Sequence, residues 1–299
     1  MSFQLVVEQL FNGIQLGMML FLMAVGVTLV FGIMRVINLA HGSMFMLGGY
    51  FLAEASTHTH WTVLAFLEAT VAIGLIGVVV ELVVLRPLYG RSHLDQVLAT
   101  FGLTLMFNEA VTMIWGREPL FLNVPDALDG SITILPGVQY PIYRLAITAF
   151  SIVIGGLLYL LINHTRVGAL IRAGSDKREI VQALGVNIGL LYTLVFALGA
   201  ILAAFAGMLM GPLLSVESGI GDPVLIMTLV VVVIGGMGSI RGALAGALIV
   251  GVFDTLSRVL LPMLFGGDAS AALVGMAVYI LMAAVLLVSR QGIFGAARG

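Results

Sequence analysis

The side chains that could do chemistry in this sequence are concentrated in one segment, residues 166–187. Only 9% of the chain is charged, yet this segment holds Arg166, Arg172, Lys177 and Arg178 against Asp176 and Glu179, a net charge of +2. A charged, amphipathic segment between two apolar runs suits the docking of a soluble partner rather than covalent catalysis. Basic segments between membrane spans mark the cytoplasmic side, so we expect a partner there to drive this chain.

Catalytic and metal-binding patterns are missing from the sequence. No nucleophile lies beside a base in a recognisable arrangement, and the chain has no cysteine, which rules out disulfides and thiolate ligands. His41 has no second histidine at metal-ligand spacing, and His58 and His60 are too sparse for a metal site. The net charge of −2 says nothing about nucleic acid, but the sequence has no basic stripe, so a nucleic-acid partner is not expected either. We therefore expect a protein that is not an enzyme.

Residues 235–242, GGMGSIRG, superficially resemble a phosphate-binding loop. Such a loop needs a preceding strand and a following soluble helix, whereas both flanks here are apolar enough to span a membrane. A Walker A motif requires Gly-Lys-Ser/Thr, and the one lysine, Lys177, lies in the sequence SDKR. Any ATP must therefore be hydrolysed, with Mg, by a separate subunit, and we expect this chain to bind no cofactor.

Apolar segments must position these residues, because 61% of the chain is hydrophobic. Most of these segments are long enough to cross a hydrocarbon core of about 30 Å. The second and seventh are short and could be half-helices or re-entrant segments. We predict an all-α, polytopic membrane protein with about eight to nine transmembrane or re-entrant helices in one domain, 1–299. The predicted segments are 10–33, 40–56, 62–85, 94–115, 144–163, 190–211, 223–237, 242–262 and 271–289.

Basic residues orient these segments in the membrane. The positive-inside rule places 86–93, 164–188 and 290–299 in the cytoplasm and, with nine crossings, the N-terminus outside. If one segment is re-entrant, the N-terminus lies on the other side. Loop 116–143 is then external and contains a strand-like run at 131–135. It is either a contact surface for an external soluble partner or a solvated connector.

Four polar residues are candidates for a translocation path. Asn38 and His41 lie between the first two segments, Glu109 lies within the fourth, and Glu217 lies in an external turn. Polar side chains in a membrane are costly and usually face a cavity or a partner. A packed or capping histidine and a plain flexible turn are the structural alternatives for His41 and Glu217.

Two other acidic residues have basic neighbours. Asp254 precedes Arg258 by four residues, which suits an ion pair on one helical face. Glu81 lies near the cytoplasmic end of the third segment, where it could pair with Arg86. An ion-coupled secondary transporter would instead need an essential intramembrane acid, with Glu109 or Asp254 as first candidates. It would give no reason for the basic segment 166–187.

Small residues recur every four positions in two segments. This spacing lets helix backbones approach closely where lipid supplies no hydrophobic driving force. We expect packing faces, and the functional alternative is that smooth helices slide during gating. Gly235 and Gly236 precede one stripe and permit a tight break between two helices. The stripes are Gly199, Ala203, Gly207 and Gly211, and then Gly238, Gly242 and Gly246.

Four blocks together resemble the membrane permease subunits of ABC importers for branched-chain amino acids. They span nearly the whole chain in the expected order, and the tail RQGIFG resembles the family's ending. Glu217-Ser-Gly stands where members often have a proline, which leaves the substrate open. The blocks are 26–50, GVTLVFGIMRVINLAHGSMFMLGGY; 81–87, ELVVLRP; 166–187, RVGALIRAGSDKREIVQALGVN; and 233–251, VIGGMGSIRGALAGALIVG.

The resemblance implies an ABC importer permease fold in the cytoplasmic (inner) membrane, paired with a second permease that is identical or related. It also implies two cytoplasmic ATPase subunits and an external substrate-binding protein. Loop 164–189 would be the coupling loop that fits a groove of the ATPase, and Gly185 would cap the end of its helix. The residues that match the family's loop are Gly168, Arg172, Asp176, Ala183 and Gly185.

The function that the resemblance implies is ATP-driven import by alternating access. The expected substrates are branched-chain or other small hydrophobic amino acids. Related permeases move urea, short amides or small carboxylates, and these substrates remain alternatives.

Overall fold

The computed structural model describes residues 3–59, 62–176, 178–183 and 185–294. Within this part the chain is almost entirely helical, with one two-stranded antiparallel sheet, β1 paired with β2. Short π-helical and 3-10 turns at Glu81–Leu85 and Arg86–Leu88 extend the third helix. The elements are α1 (Phe3–Met34), α2 (His41–His58), α3 (Thr62–Val80), α4 (His93–Trp115), β1 (Ser131–Leu135), β2 (Val138–Pro141), α5 (Ile142–His164), α6 (Arg166–Asp176), α7 (Arg178–Ala183), α8 (Ile188–Met210), α9 (Gly221–Gly235), α10 (Ile240–Phe265) and α11 (Gly267–Val288).

The predicted all-α membrane architecture is confirmed. Each of the nine predicted apolar segments corresponds to a helix, and seven helices of the described chain are long and apolar enough to cross a membrane. The two that do not qualify are α2, whose 18 residues are not apolar enough, and α9, which has only 15 residues. They are the second and seventh predicted segments, which the sequence marks as short. The first helix begins at Phe3, seven residues before the predicted start at position 10.

The chain divides into two compact units, and several helices contribute to both. The first unit comprises the described residues within 1–24, 124–153 and 226–299, and the second comprises those within 25–123 and 154–225.

The core of the second unit forms where α2 and α8 cross. Gly48 lies against the backbone of Ala204, with its ideal Cβ position 2.6 Å from that carbonyl oxygen. Gly207 lies even closer to the backbone of Phe45, where a Cβ would overlap the carbonyl group. These contacts need glycine because the two backbones touch, as expected for helices that pack in lipid. Helix α3 packs against both α2 and α8.

In the first unit, α9 and α10 form a tight helical hairpin. The glycines at its bend, Gly235 and Gly242, face each other so closely that a Cβ on either would overlap the other's backbone. Ser239 caps α10 by accepting a hydrogen bond from the Gly242 N–H at 3.0 Å. The β-hairpin also belongs to this unit, and its strand Ser131–Leu135 confirms the predicted strand-like run.

Candidate functional site

The charged segment folds as two short helices, α6 and α7, between α5 and α8. Helix α6 has polar and apolar faces: Ile171 is 5% exposed, whereas Arg166 and Arg172 are exposed. In α7, Val181 is buried and Ala183 is exposed at the last position. The predicted amphipathic helix is therefore present, divided between two elements. The side chain of Asp176 lies outside the described residues.

The turn from α5 into α6 depends on Gly168 and Arg172. A Cβ on Gly168 would overlap the carbonyl groups of Leu161 and Ile162, so α6 can fold back against α5 only with glycine there. The Arg172 guanidinium donates a hydrogen bond to the Ile162 carbonyl, which satisfies one of the acceptors left open at the end of a helix. Two of the predicted coupling residues thus join α6 to the end of α5.

The end of α7 has a Schellman cap. Gly185 has a φ of +84°, a left-handed conformation that glycine adopts without strain. Its N–H donates to the Gln182 carbonyl at 3.0 Å, and the Val186 N–H donates to the Val181 carbonyl at 3.4 Å. This pair of hydrogen bonds is the geometry of the predicted C-cap.

Helix α8 begins directly after this cap. Asn187 is its N-cap and accepts a hydrogen bond from the Leu190 N–H at 3.0 Å. Gly174 of α6 lies against the Leu191 side chain, 3.3 Å from its ideal Cβ position to Cδ2. The first turn of α8 is therefore in contact with the charged segment that precedes it.

Two of the candidate path residues lie three positions apart at the start of α2. Asn38 lies in the non-helical stretch between α1 and α2, where its Oδ1 accepts a hydrogen bond from the Ala40 N–H at 3.0 Å. His41 is the first residue of α2 and is 2% exposed. Its ring lies against Gly26, whose ideal Cβ position is 2.8 Å from the imidazole. A bulkier residue at position 26 would displace this histidine.

The other two candidates lie near the turn between α8 and α9. Glu109 and Glu217 are both exposed. Their neighbours are joined, since the Ser218 hydroxyl donates to the Asn108 carbonyl at 2.9 Å. The Asn108 amide also donates to Asp222 at 3.4 Å, in the first turn of α9. This turn is anchored rather than loose.

The glycine stripes lie at close backbone contacts. Gly199 faces Gly26, and Gly211 faces Leu122 and Val216. In the first unit, Gly246 faces the Val231 carbonyl, at 2.6 Å from its ideal Cβ position. Gly236 and Gly238 have φ values of +101° and +84° in the bend before α10. These are close contacts between backbones, and the assignment of the glycines to packing or gating stays a prediction.

The two expected ion pairs are confirmed. Asp254 and Arg258 pair at 2.8 Å on α10, and Glu81 and Arg86 pair at 3.1 Å at the end of α3. Among the described residues, no group of three histidine, cysteine or acidic side chains is placed to hold a metal ion.

Comparison with known proteins identifies the family. Residues 9–289 match the model of the family described as branched-chain amino acid transport system, permease component. The chain belongs to this permease family. It is a multi-pass inner-membrane protein and a transport subunit rather than an enzyme.

The chain is similar to named permeases over most of its length. The permease is 30% identical over 310 aligned positions to the high-affinity branched-chain amino acid transport system permease protein LivH of Salmonella typhimurium. The alignment covers 96% of this chain and 95% of the relative. It is 30% identical to the corresponding protein BraD of Pseudomonas aeruginosa, over 83% of this chain and 84% of the relative. The ribose import permease protein RbsC of Escherichia coli is 26% identical, over 83% and 77%. No solved structure matches the permease.

The sequence pattern did not predict hydrogen bonds between residues that lie far apart along the chain. Thr193 bonds to Glu81 across 112 residues, and Asn108 bonds to Asp222 across 114. Thr193 lies in an apolar helix and has no charged residue near it in the sequence, so no local sequence pattern identifies it. Thr193 lies one turn after Gly189, and only the packing of α3 against α8 brings both residues to the end of α3.

Proposed function

We propose that this permease is the membrane subunit of an ATP-driven importer that moves branched-chain or other small hydrophobic amino acids across the cytoplasmic membrane. It works with a second permease, identical or related, two cytoplasmic ATPase subunits and an external substrate-binding protein. ATP and Mg are used by the ATPases, and this chain binds no cofactor. The loaded binding protein docks outside, the ATPases close on ATP, and the permease exposes its path alternately to the two sides.

The observation that supports this proposal is the fold of α6 and α7. The pair is held against α5 by Gly168 and Arg172 and ends at the Gly185 cap. It presents exposed basic residues between two membrane-length helices, α5 and α8. A compact charged element of this kind suits a groove on a soluble partner better than it suits a solvated connector. Asn38, His41, Glu109 and Glu217 are the proposed path residues of the same mechanism.

The first experiment is purification of the tagged permease from its native membrane in mild detergent, with identification of the co-eluting proteins by mass spectrometry. We expect an ATPase subunit, and we expect alanine at Arg166 and Arg172 to reduce its yield. A folded, monodisperse permease that elutes without an ATPase would contradict the proposal. Uptake of leucine by membrane vesicles, challenged with excess isoleucine, urea or acetamide, then separates the substrate classes.

A further inference from the structure

A buried carboxylate lies at the end of α3, close to the charged segment. Glu81 is 0% exposed, and both of its oxygens accept hydrogen bonds. Oε1 accepts from the Tyr89 hydroxyl at 2.7 Å and from Nε of Arg86 at 3.3 Å. Oε2 accepts from the Thr193 hydroxyl at 2.7 Å and from Nη2 of Arg86 at 3.1 Å. We call these four residues the Glu81 centre.

A π-helical turn brings the ion pair together. Residues five apart do not face each other in an α-helix, where neighbours are three or four apart. Here Glu81–Leu85 form a π turn, and the Arg86 N–H donates to the Glu81 carbonyl. The extra residue in this turn places the Arg86 guanidinium beside the Glu81 carboxylate. Such turns inside helices frequently occur at functional sites.

The centre joins α3 to the first residues of α8. Nη2 of Arg86 donates to the Thr193 hydroxyl at 2.7 Å and to the Gly189 carbonyl at 3.3 Å. The rings of Tyr89 and Tyr192 also meet edge to face, with centroids 5.2 Å apart. Gly189 is the second residue of α8, two positions after the end of the charged segment 166–187. The start of α8, which directly follows the charged segment, is therefore bound to the end of α3 by hydrogen bonds that join residues more than 100 positions apart in sequence.

The chemistry of the centre makes it a stiff connection. Hydrogen bonds to a charged group in a buried setting are stronger than neutral ones, and separating the partners would leave a buried charge uncompensated. Burial and the hydrogen bond to Glu81 raise the pKa of Tyr89, so its hydroxyl keeps its proton and remains a donor.

We propose that the Glu81 centre carries movement of the coupling loop into α3, and that Glu81, Arg86 and Thr193 are positioning residues for coupled transport. The proposal rests on the proposed function, since it assumes that α6 and α7 dock on an ATPase. Gly174 of α6 contacts the first turn of α8. Displacing α6 then moves Gly189 and Thr193, and Arg86 and Glu81 move with them. Helix α3 packs against α2, so the movement reaches the helix that His41 begins.

The test uses the reconstituted complex of the permease with its ATPases and binding protein. The quantity measured is substrate moved per ATP hydrolysed, together with the thermal unfolding midpoint. Thr193→Val and Tyr89→Phe each remove one hydroxyl from the centre. Thr255→Val is the matched control, because it removes a buried hydroxyl of α10 that bonds to Gln9 and Gly251.

We expect Thr193→Val to lower substrate per ATP about fivefold, the effect of one hydrogen bond, with unfolding close to that of the control. A neutral pair, Glu81→Gln with Arg86→Met, separates coupling from stability. Removing both charges avoids a buried unpaired charge, so the pair should fold and still couple poorly. The same treatment of the other ion pair, Asp254→Asn with Arg258→Met, should leave substrate per ATP unchanged.

The proposal is overturned if Thr193→Val and the neutral pair at 81 and 86 both stay within twofold of their controls while the wild-type complex couples normally. If either of these variants fails to fold, Tyr89→Phe takes its place in the comparison with the controls. A wild-type complex without ATP-dependent uptake would overturn the proposed function, and the role of the Glu81 centre with it. The uptake of the wild-type complex therefore distinguishes a failure of the proposed function from a failure of the role of the Glu81 centre.

Discussion

Gly42 and Gly221 meet backbone to backbone, in the first turns of α2 and α9. The ideal Cβ position of Gly42 is 2.6 Å from the Gly221 carbonyl oxygen, and a Cβ on Gly221 would overlap the Gly42 carbonyl. The two helices that do not qualify as membrane spans therefore begin against each other, inside the second unit.

The contact between Gly42 and Gly221 predicts a strong effect of a single methyl group. We expect Gly221→Ala to destabilise the permease by about 1–3 kcal/mol, the usual cost of overpacking. The measurement is thermal unfolding in detergent followed by size exclusion. Gly102→Ala is the matched control, since nothing lies within 4 Å of its ideal Cβ position. Equal midpoints for the two variants would show that the contact is looser than described.

Alanine at both Arg172 and Asp176 should uncouple transport while leaving the protein folded. Arg172 holds the end of α5, and both residues belong to the charged segment that we propose as the ATPase contact. Substrate uptake into proteoliposomes should fall about five- to thirtyfold, which corresponds to the loss of about one to two kcal/mol of contact. Arg117→Ala with Glu118→Ala removes two exposed charges outside that segment and should be silent. Wild-type uptake in the Arg172 and Asp176 variant would remove the coupling assignment.

The cap at Gly185 should tolerate asparagine better than alanine. A residue with a side chain at a φ of +84° costs about 1–2 kcal/mol, and asparagine is the common exception. Gly185→Ala should therefore fray α7, which hydrogen exchange of the amides of α7 would report as faster exchange. Gly185→Asn should exchange nearly as slowly as the wild type. Identical exchange in all three proteins would mean that the cap does not hold α7.

Uptake should depend on ATP rather than on an ion gradient. In proteoliposomes with ATP inside and the ATPases bound, collapsing proton and sodium gradients with ionophores should leave leucine uptake unchanged. Glu109→Gln should preserve this insensitivity, because the carboxylate would line a path rather than carry a coupling ion. Loss of uptake on adding ionophore, at constant ATP, would favour an ion-coupled transporter and direct attention to Glu109 and Asp254.

The architecture could be predicted because apolar length and basic loops are local signals. All nine segments are helices, and the strand at Ser131–Leu135 is present. The predicted start of α1 is too late, because Gln4, Glu8 and Gln9 are polar but do not end a helix. Such residues retain a propensity for helix, so hydropathy alone marks where a membrane begins rather than where a helix begins.

The candidate site could be predicted only in its local parts. The Gly185 cap and the ion pair of Asp254 with Arg258 derive from spacing along one helix. The Glu81 centre depends on the packing of α3 against α8, and the contact of Gly42 with Gly221 depends on where two helices begin. Such long-range pairings are set by tertiary structure and leave no periodic signature in the sequence.

The π turn at the end of α3 also sets the rotational phase of the residues after it. Each residue of an α-helix advances the side chains by about 100°, so the extra residue in Glu81–Leu85 offsets Arg86 and Tyr89 by that angle. Substituting an apolar residue inside the turn changes volume but keeps this phase. Winding the same residues as a regular α-helix would rotate the arginine and tyrosine away from Glu81, whereas deleting one residue would place them four and seven positions after it, where an α-helix again presents them on the same face. The π winding, and not the identity of the apolar residues within it, is therefore what aligns a chain of this length with Glu81.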